Sequence, residues 1–154
     1  MITFLRRGTV SLLLLVITGL LHVPQRAMAQ TSPVGVWRTI SDVDGKPAAI
    51  IEIVENDGVV SGIVKRSLAA NDSGTRVCDK CSGELHGQSV VGMRILNGLH
   101  LDGSEWRGGS ILDPDSGRIY KAKLRVSDDG QSLVVRGFVG FSLLGRSQTW
   151  YRER

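Results

Sequence analysis

Tyr120-Lys121-Ala122-Lys123-Leu124-Arg125-Val126 decides the fold. Tyr120, Ala122, Leu124 and Val126 share one side of an extended chain, and Lys121, Lys123 and Arg125 share the other. Only a repeat of two separates the sets this cleanly; a helix mixes them around its surface. The stretch reads as a half-buried strand. It lies between Asp113-Pro114-Asp115-Ser116-Gly117 and Asp128-Asp129-Gly130. Such clusters supply the positive φ angles that tight reversals need. The same punctuation recurs at Asp44-Gly45, Asn56-Asp57-Gly58, Asn97-Gly98 and Asp102-Gly103. Between these signals the chain is rich in Val, Ile and aromatics, which predicts strands over 34–40, 48–55, 59–66, 90–96, 105–112, 118–126, 133–139 and 146–152.

No window after Gln30 joins helical spacing to a cap and a stop; the pattern leaves room for one short helix between Ser67 and Gln88. Gly62, Gly92, Gly108, Gly109 and Gly137 interrupt strand patterns and predict bulges or sharp coiling. About eight antiparallel strands that coil this way tend to close, because closure removes exposed edges. The expected fold is all-β, a small antiparallel up-and-down barrel, with a two-sheet sandwich as the alternative.

The amino end reads differently. Arg6 and Arg7 precede an apolar run over 10–23, followed by Pro24 and Ala27-Met28-Ala29. That is the charged, apolar, small-residue order of a cleavable secretory leader over 1–29. The run is too short for a membrane span of about 20 residues. A single periplasmic or secreted domain over 30–154 is therefore expected, with no transmembrane span after processing. The formal charge of +4 includes Arg6, Arg7 and Arg26; beyond Gln30, 16 Lys and Arg face 15 Asp and Glu. No basic run with interleaved aromatics remains, which argues against nucleic acid as a partner.

Cys78-Asp79-Lys80-Cys81 holds both cysteines of the chain. In an exported protein the first reading is a disulfide closing a small ring, worth about 2 kcal/mol by loop entropy. A redox-active pair and half of a metal site with His86 or His100 are the other readings. The first lacks a βαβ context and the second lacks another Cys pair. Ser67 to Ser89, which contains the pair, is long and polar, so a pinned or functional loop is expected there.

Catalytic signals are sparse. Gly140-Phe141-Ser142-Leu143-Leu144 starts like a nucleophile elbow and fails at its last position. Asp42-Val43-Asp44-Gly45 starts like a calcium loop, but Ile53 stands where the bidentate Glu belongs. Asp113 and Asp115 offer a carboxylate pair that, with His86 or the cysteines, would serve an enzyme; turn chemistry is the stronger reading. No catalytic residue, metal or cofactor is assigned. Arg146, Gln148, Trp150 and Arg152 share one face of the last strand, and Arg136 and Phe138 share a face of the strand before it. Turned into a barrel, such arginines would offer a fork for a carboxylate or phosphate; the alternative is that they stack on tryptophans at a rim. Phe141, Leu143 and Leu144 form an apolar connection that would serve as a lid, a partner patch or a cover over a barrel end.

Gly35-Val36-Trp37, Cys78-Asp79-Lys80-Cys81, 92–96, 106–114, Gly117, Tyr120 and the carboxyl-terminal RGFVGFSLLGRSQTW over 136–150 together resemble a bacterial family, domain of unknown function 2147. The resemblance spans nearly the whole chain after the leader. It implies one exported domain and brings no activity with it. Gly35-Val36-Trp37 is also similar to the GxW of lipocalins. That likeness implies a calyx in which a basic residue of the last strand, Arg146 or Arg152, packs on Trp37.

The expected function is a periplasmic module binding a small apolar or amphipathic anionic ligand, with Trp37, Tyr120, Arg136, Phe138, Arg146 and Trp150 near the cavity. An envelope protein-interaction module is the alternative, and a small periplasmic enzyme ranks below it.

Overall fold

The computed structural model describes residues 32–69 and 72–154, so the expected leader lies outside the described residues. The strands are β1 (Gly35–Ile40), β2 (Pro47–Asn56), β3 (Val59–Ser67), β4 (Arg94–Asp102), β5 (Glu105–Asp113), β6 (Arg118–Val126), β7 (Ser132–Phe138) and β8 (Gly145–Arg152). Each pairs with the next and β8 returns to β1, giving a closed up-and-down barrel rather than a sandwich. The one helical element among the described residues is a 3-10 turn, Gly83–Leu85, inside the long β3–β4 connection.

One predicted strand is misplaced. The sequence predicts a strand over 90–96 that ends at Asn97-Gly98, yet β4 runs through that pair and reverses at Asp102-Gly103. Gly98 has the positive φ of +69° that an Asn-Gly turn would use. Here it sits opposite Gly108 and Gly109, where the β4–β5 rungs lapse between Asn97↔Ser110 and His100↔Arg107 and resume in the same register, while β5 slips by one residue against β6 between Trp106 and Gly109. A Cβ on Gly109 would run into the backbone of Asn97 and Gly98. Gly137 departs from expectation too: β6–β7 pairing passes it without a shift. Its missing side chain instead makes room for Ile111 and Tyr120. Gly92 falls before β4, outside the strands.

Alternation turns Tyr120, Ala122, Leu124 and Val126 inward, opposite Gly137, Val135 and Leu133 of β7. Half of the cylinder is solid: Ile53, Val60, Leu99, Leu124 and Leu133 are fully buried. Burying such a side chain is worth roughly 1.5–3 kcal/mol, so this half anchors the fold. Trp37 plugs its end, with Nε1 donating to the Pro33 carbonyl at 2.8 Å. Arg152 covers Trp37 with its guanidinium carbon 4.2 Å from the ring centroid.

The connections sort by end. At the Trp37 end the reversals are short, after Asn56, after Asp102 and between Val126 and Ser132. At the other end lie 41–46, 68–93, 114–117 and 139–144. The longest of these is pinned by the Cys78–Cys81 disulfide. It is seated on the β5–β6 turn: Cys78 Sγ lies 3.5 Å from the Pro114 carbonyl oxygen, Arg76 pairs with Asp115, and Gly117 abuts the Lys80 carbonyl. Val90, Met93, Ile95 and Leu112 join both cysteines in the buried apolar cluster.

Candidate functional site

Opposite the solid half, the barrel holds a cavity of about 1410 Å³ open towards the long connections. Ile51, Val64, Ile111, Tyr120, Val135 and Trp150 give it an apolar wall, and Thr39, Ala49 and Gly137 keep it wide. Its volume reaches that of sites that enclose drug-sized ligands.

Charge gathers at the mouth and is mostly paired. Lys46 stands 3.8 Å from Asp44, and Arg76 meets Asp115. The Ser41 hydroxyl, then Lys46, hold the Asp44 carboxyl below its ordinary range. Ser67 and the Gly74 amide do the same for Asp72. Both therefore remain ionised at neutral pH.

The last strand supplies a polar chain running inward. Backbone pairing between β1 and β8 comprises only Trp37↔Arg152 and Arg38↔Tyr151. Above that, side chains bridge the seam: Arg146 and Gln148 both donate to one carboxylate oxygen of Asp42. Gln148 Oε1 in turn accepts from Trp150 Nε1 at 3.2 Å. Two donors thus converge on a carboxylate at the rim of an apolar cavity, an arrangement suited to an amphipathic anion.

The residues predicted to lie near a ligand divide. Tyr120, Arg146 and Trp150 line the cavity, and Phe138, at the end of β7 and out of phase with the inward Gly137, borders it at the rim. Trp37 is wholly buried in the end plug and is not part of the wall. Arg136 faces away from the cavity, because Gly137 holds the inward phase of β7 and Arg136 pairs with Lys123 and Ser147 on the outer surface. Its guanidinium donates to the carbonyls of Ser142 at 2.7 Å and Leu143 at 3.2 Å, and to Ser147 Oγ at 2.9 Å. Sequence reading missed Asp42, whose part in the site depends on closure bringing β1 beside β8. Asp42 and Arg146 stand 104 residues apart, so no local pattern links them.

Arg152 stacks on Trp37, while Arg146 faces the cavity. Arg152 also donates to the carbonyls of Gly130, Val34 and Ser32. Burial lowers its pKa from the ordinary arginine value, though a guanidinium stays charged in a protein. The groups considered for catalysis do not converge. Asp113 accepts from the Asp115 amide at 3.0 Å and the Ser116 hydroxyl at 2.7 Å, as a turn residue does. His86 Nδ1 lies 3.2 Å from the Cys81 carbonyl oxygen. His100 is exposed on β4, where it pairs with Val59 near the opposite end. Ser142 offers its carbonyl to Arg136. Both cysteine sulfurs are taken up in the disulfide and are not available as metal ligands in that state.

Comparison with known proteins adds two findings. A solved structure described as "Protein HP1028 from the human pathogen Helicobacter pylori belongs to the lipocalin family" superposes with a TM-score of 0.69 at 17% identity, covering 80% of this chain and 84% of that one. At that identity the likeness shows a shared lipocalin-type barrel. No curated protein matches the chain. The family described as "Uncharacterized protein conserved in bacteria (DUF2147)" matches residues 35–152, from the first residue of β1 to the last of β8. With the whole closed barrel inside that match, the chain belongs to the bacterial DUF2147 family.

Proposed function

We propose that this protein is an exported, periplasmic carrier or sensor of a small amphipathic anion, held inside the barrel and not chemically altered. The observation that supports this reading is the pairing of an apolar cavity with donors already converging on a carboxylate at its rim. The apolar body of the ligand would lie against Ile51, Val135, Tyr120 and Trp150. Its acidic head would take the place of the Asp42 carboxylate on Arg146 and Gln148. Asp42 is an internal stand-in: it satisfies these donors when no ligand does. Phe138 at the rim would cover the ligand near its head.

The test is native mass spectrometry of the protein released from its own cell envelope, followed by titration with a series of fatty carboxylates that displace a polarity-sensitive dye. A co-purifying small acid, or saturable displacement by a carboxylate, is the expected result. Protein that emerges empty and displaces dye with no member of the series would overturn the proposal.

A further inference from the structure

The β7–β8 connection exposes Val139, Phe141, Leu143 and Leu144, with Leu143 89% accessible, and the neighbouring β1–β2 connection exposes Val43 at 97%. Soluble surfaces scatter such side chains singly and seldom gather five on adjoining tips. Asp42 joins the two tips through Arg146. Nor is the longer tip a loose strand of chain. The Val139 amide donates to the Leu144 carbonyl at 3.2 Å, and the Leu144 amide donates to the Phe141 carbonyl at 3.0 Å. Arg136 clasps the connection from outside by its bonds to the Ser142 and Leu143 carbonyls. A charged side chain is thus committed to holding apolar residues out in water.

We infer that these two tips are a docking surface for an anionic lipid bilayer. Two observations favour lipid over a second copy or a protein partner. The β7–β8 tip carries no Asp or Glu and is flanked by Arg136 and Arg146, which with Lys46 outnumber Asp42 and Asp44 of the neighbouring tip and complement a negative surface. Val139 and Leu144 belong both to the exposed tip and to the cavity wall, so the apolar surface runs unbroken from the tip into the barrel. Docking would set the cavity mouth against the acyl layer. The inference stands apart from the ligand proposal, because a barrel with no guest would still dock.

The experiment is vesicle co-sedimentation of the chain from Ser32 onward, which carries every strand of the closed barrel. Vesicles of phosphatidylethanolamine with phosphatidylglycerol are compared with vesicles of phosphatidylcholine alone. Binding is expected to the first, weakening with salt, and less to the second. Phe141→Asp together with Leu143→Asp lowers the bound fraction about tenfold or more, since each removes an apolar group and adds a repelled charge. Phe141→Trp retains binding and its emission shifts to the blue when vesicles are added. The inference is overturned if the double variant sediments like the parent, or if the parent stays in solution with both vesicles. It is equally overturned if the chain dimerises without lipid and Leu143→Asp makes it monomeric, since the tips would then be a contact between copies.

Discussion

Arg152 lies over the indole of Trp37 at 4.2 Å and also donates to the carbonyls of Gly130, Val34 and Ser32. One side chain therefore ties the β6–β7 turn, the segment before β1 and the end plug together. Arg152→Ala is expected to cost about 3 kcal/mol: three hydrogen bonds at about 1 each, plus a cation–π contact worth about 0.5–2, less some rehydration. Arg152→Lys keeps the charge but not the planar fork, and should recover less than half of the loss. Urea unfolding of the three proteins measures the difference.

Gly58 and Gly117 have nearly equal positive φ angles, +77° and +70°, but unequal surroundings. A Cβ on Gly58 meets nothing within 4 Å, whereas one on Gly117 collides with the Lys80 carbonyl. Gly58→Ala should cost about 1 kcal/mol for the left-handed backbone alone. Gly117→Ala should cost about 2 kcal/mol more, because the disulfide-bearing connection must move off the β5–β6 turn. Limited proteolysis should then cut within 72–93 first, while Gly58→Ala leaves that segment as resistant as the parent.

The Asp129 carboxyl accepts from Ser127 Oγ at 2.5 Å and the Gln131 amide at 2.9 Å. These bonds, the hydroxyl first, hold its pKa below the ordinary 3.8. A carboxyl lowered in the fold contributes stability above its unfolded pKa and loses it as pH falls through the folded value. The urea midpoints of the parent and Asp129→Ala should therefore differ at neutral pH and converge in acid below 3.8. A gap that stays constant into acid would mean that the charge at this turn contributes nothing.

Asp42 and an anionic ligand compete for the same donors under the proposed function. Asp42→Ala should raise the affinity for a fatty carboxylate severalfold, and Arg146→Ala should lower it about tenfold. Dye displacement measures both. A weaker carboxylate complex in Asp42→Ala would show that Asp42 helps to build the site instead of occupying it.

Legibility in the sequence followed the range of the forces involved. Alternation along Tyr120–Val126 and the Asp-Gly reversals are local, and they yielded the strands and the closed cylinder. Asn97-Gly98 misled because its left-handed backbone serves a turn and a mid-strand irregularity alike; only Gly108 and Gly109 across the sheet distinguish the two. The disulfide was readable from spacing, whereas its seat on Pro114 and Gly117 was not. In the site, the phase of β8 correctly grouped Arg146, Gln148, Trp150 and Arg152, but a shared face does not say which end of the cylinder is filled. Trp37 has the inward phase but lies in the solid half, whereas Arg136 is a residue out of phase with the inward Gly137.

The brief β1–β8 pairing makes the cylinder resemble a split ring more than a hoop. A split ring concentrates its compliance at the gap, and the remaining staves stay rigid. Amides of Thr39 and Ile40, just past the last rung, should exchange with deuterium sooner than those of the continuous β6–β7 ladder. Strain from anything pressing on the rim would gather along this one line.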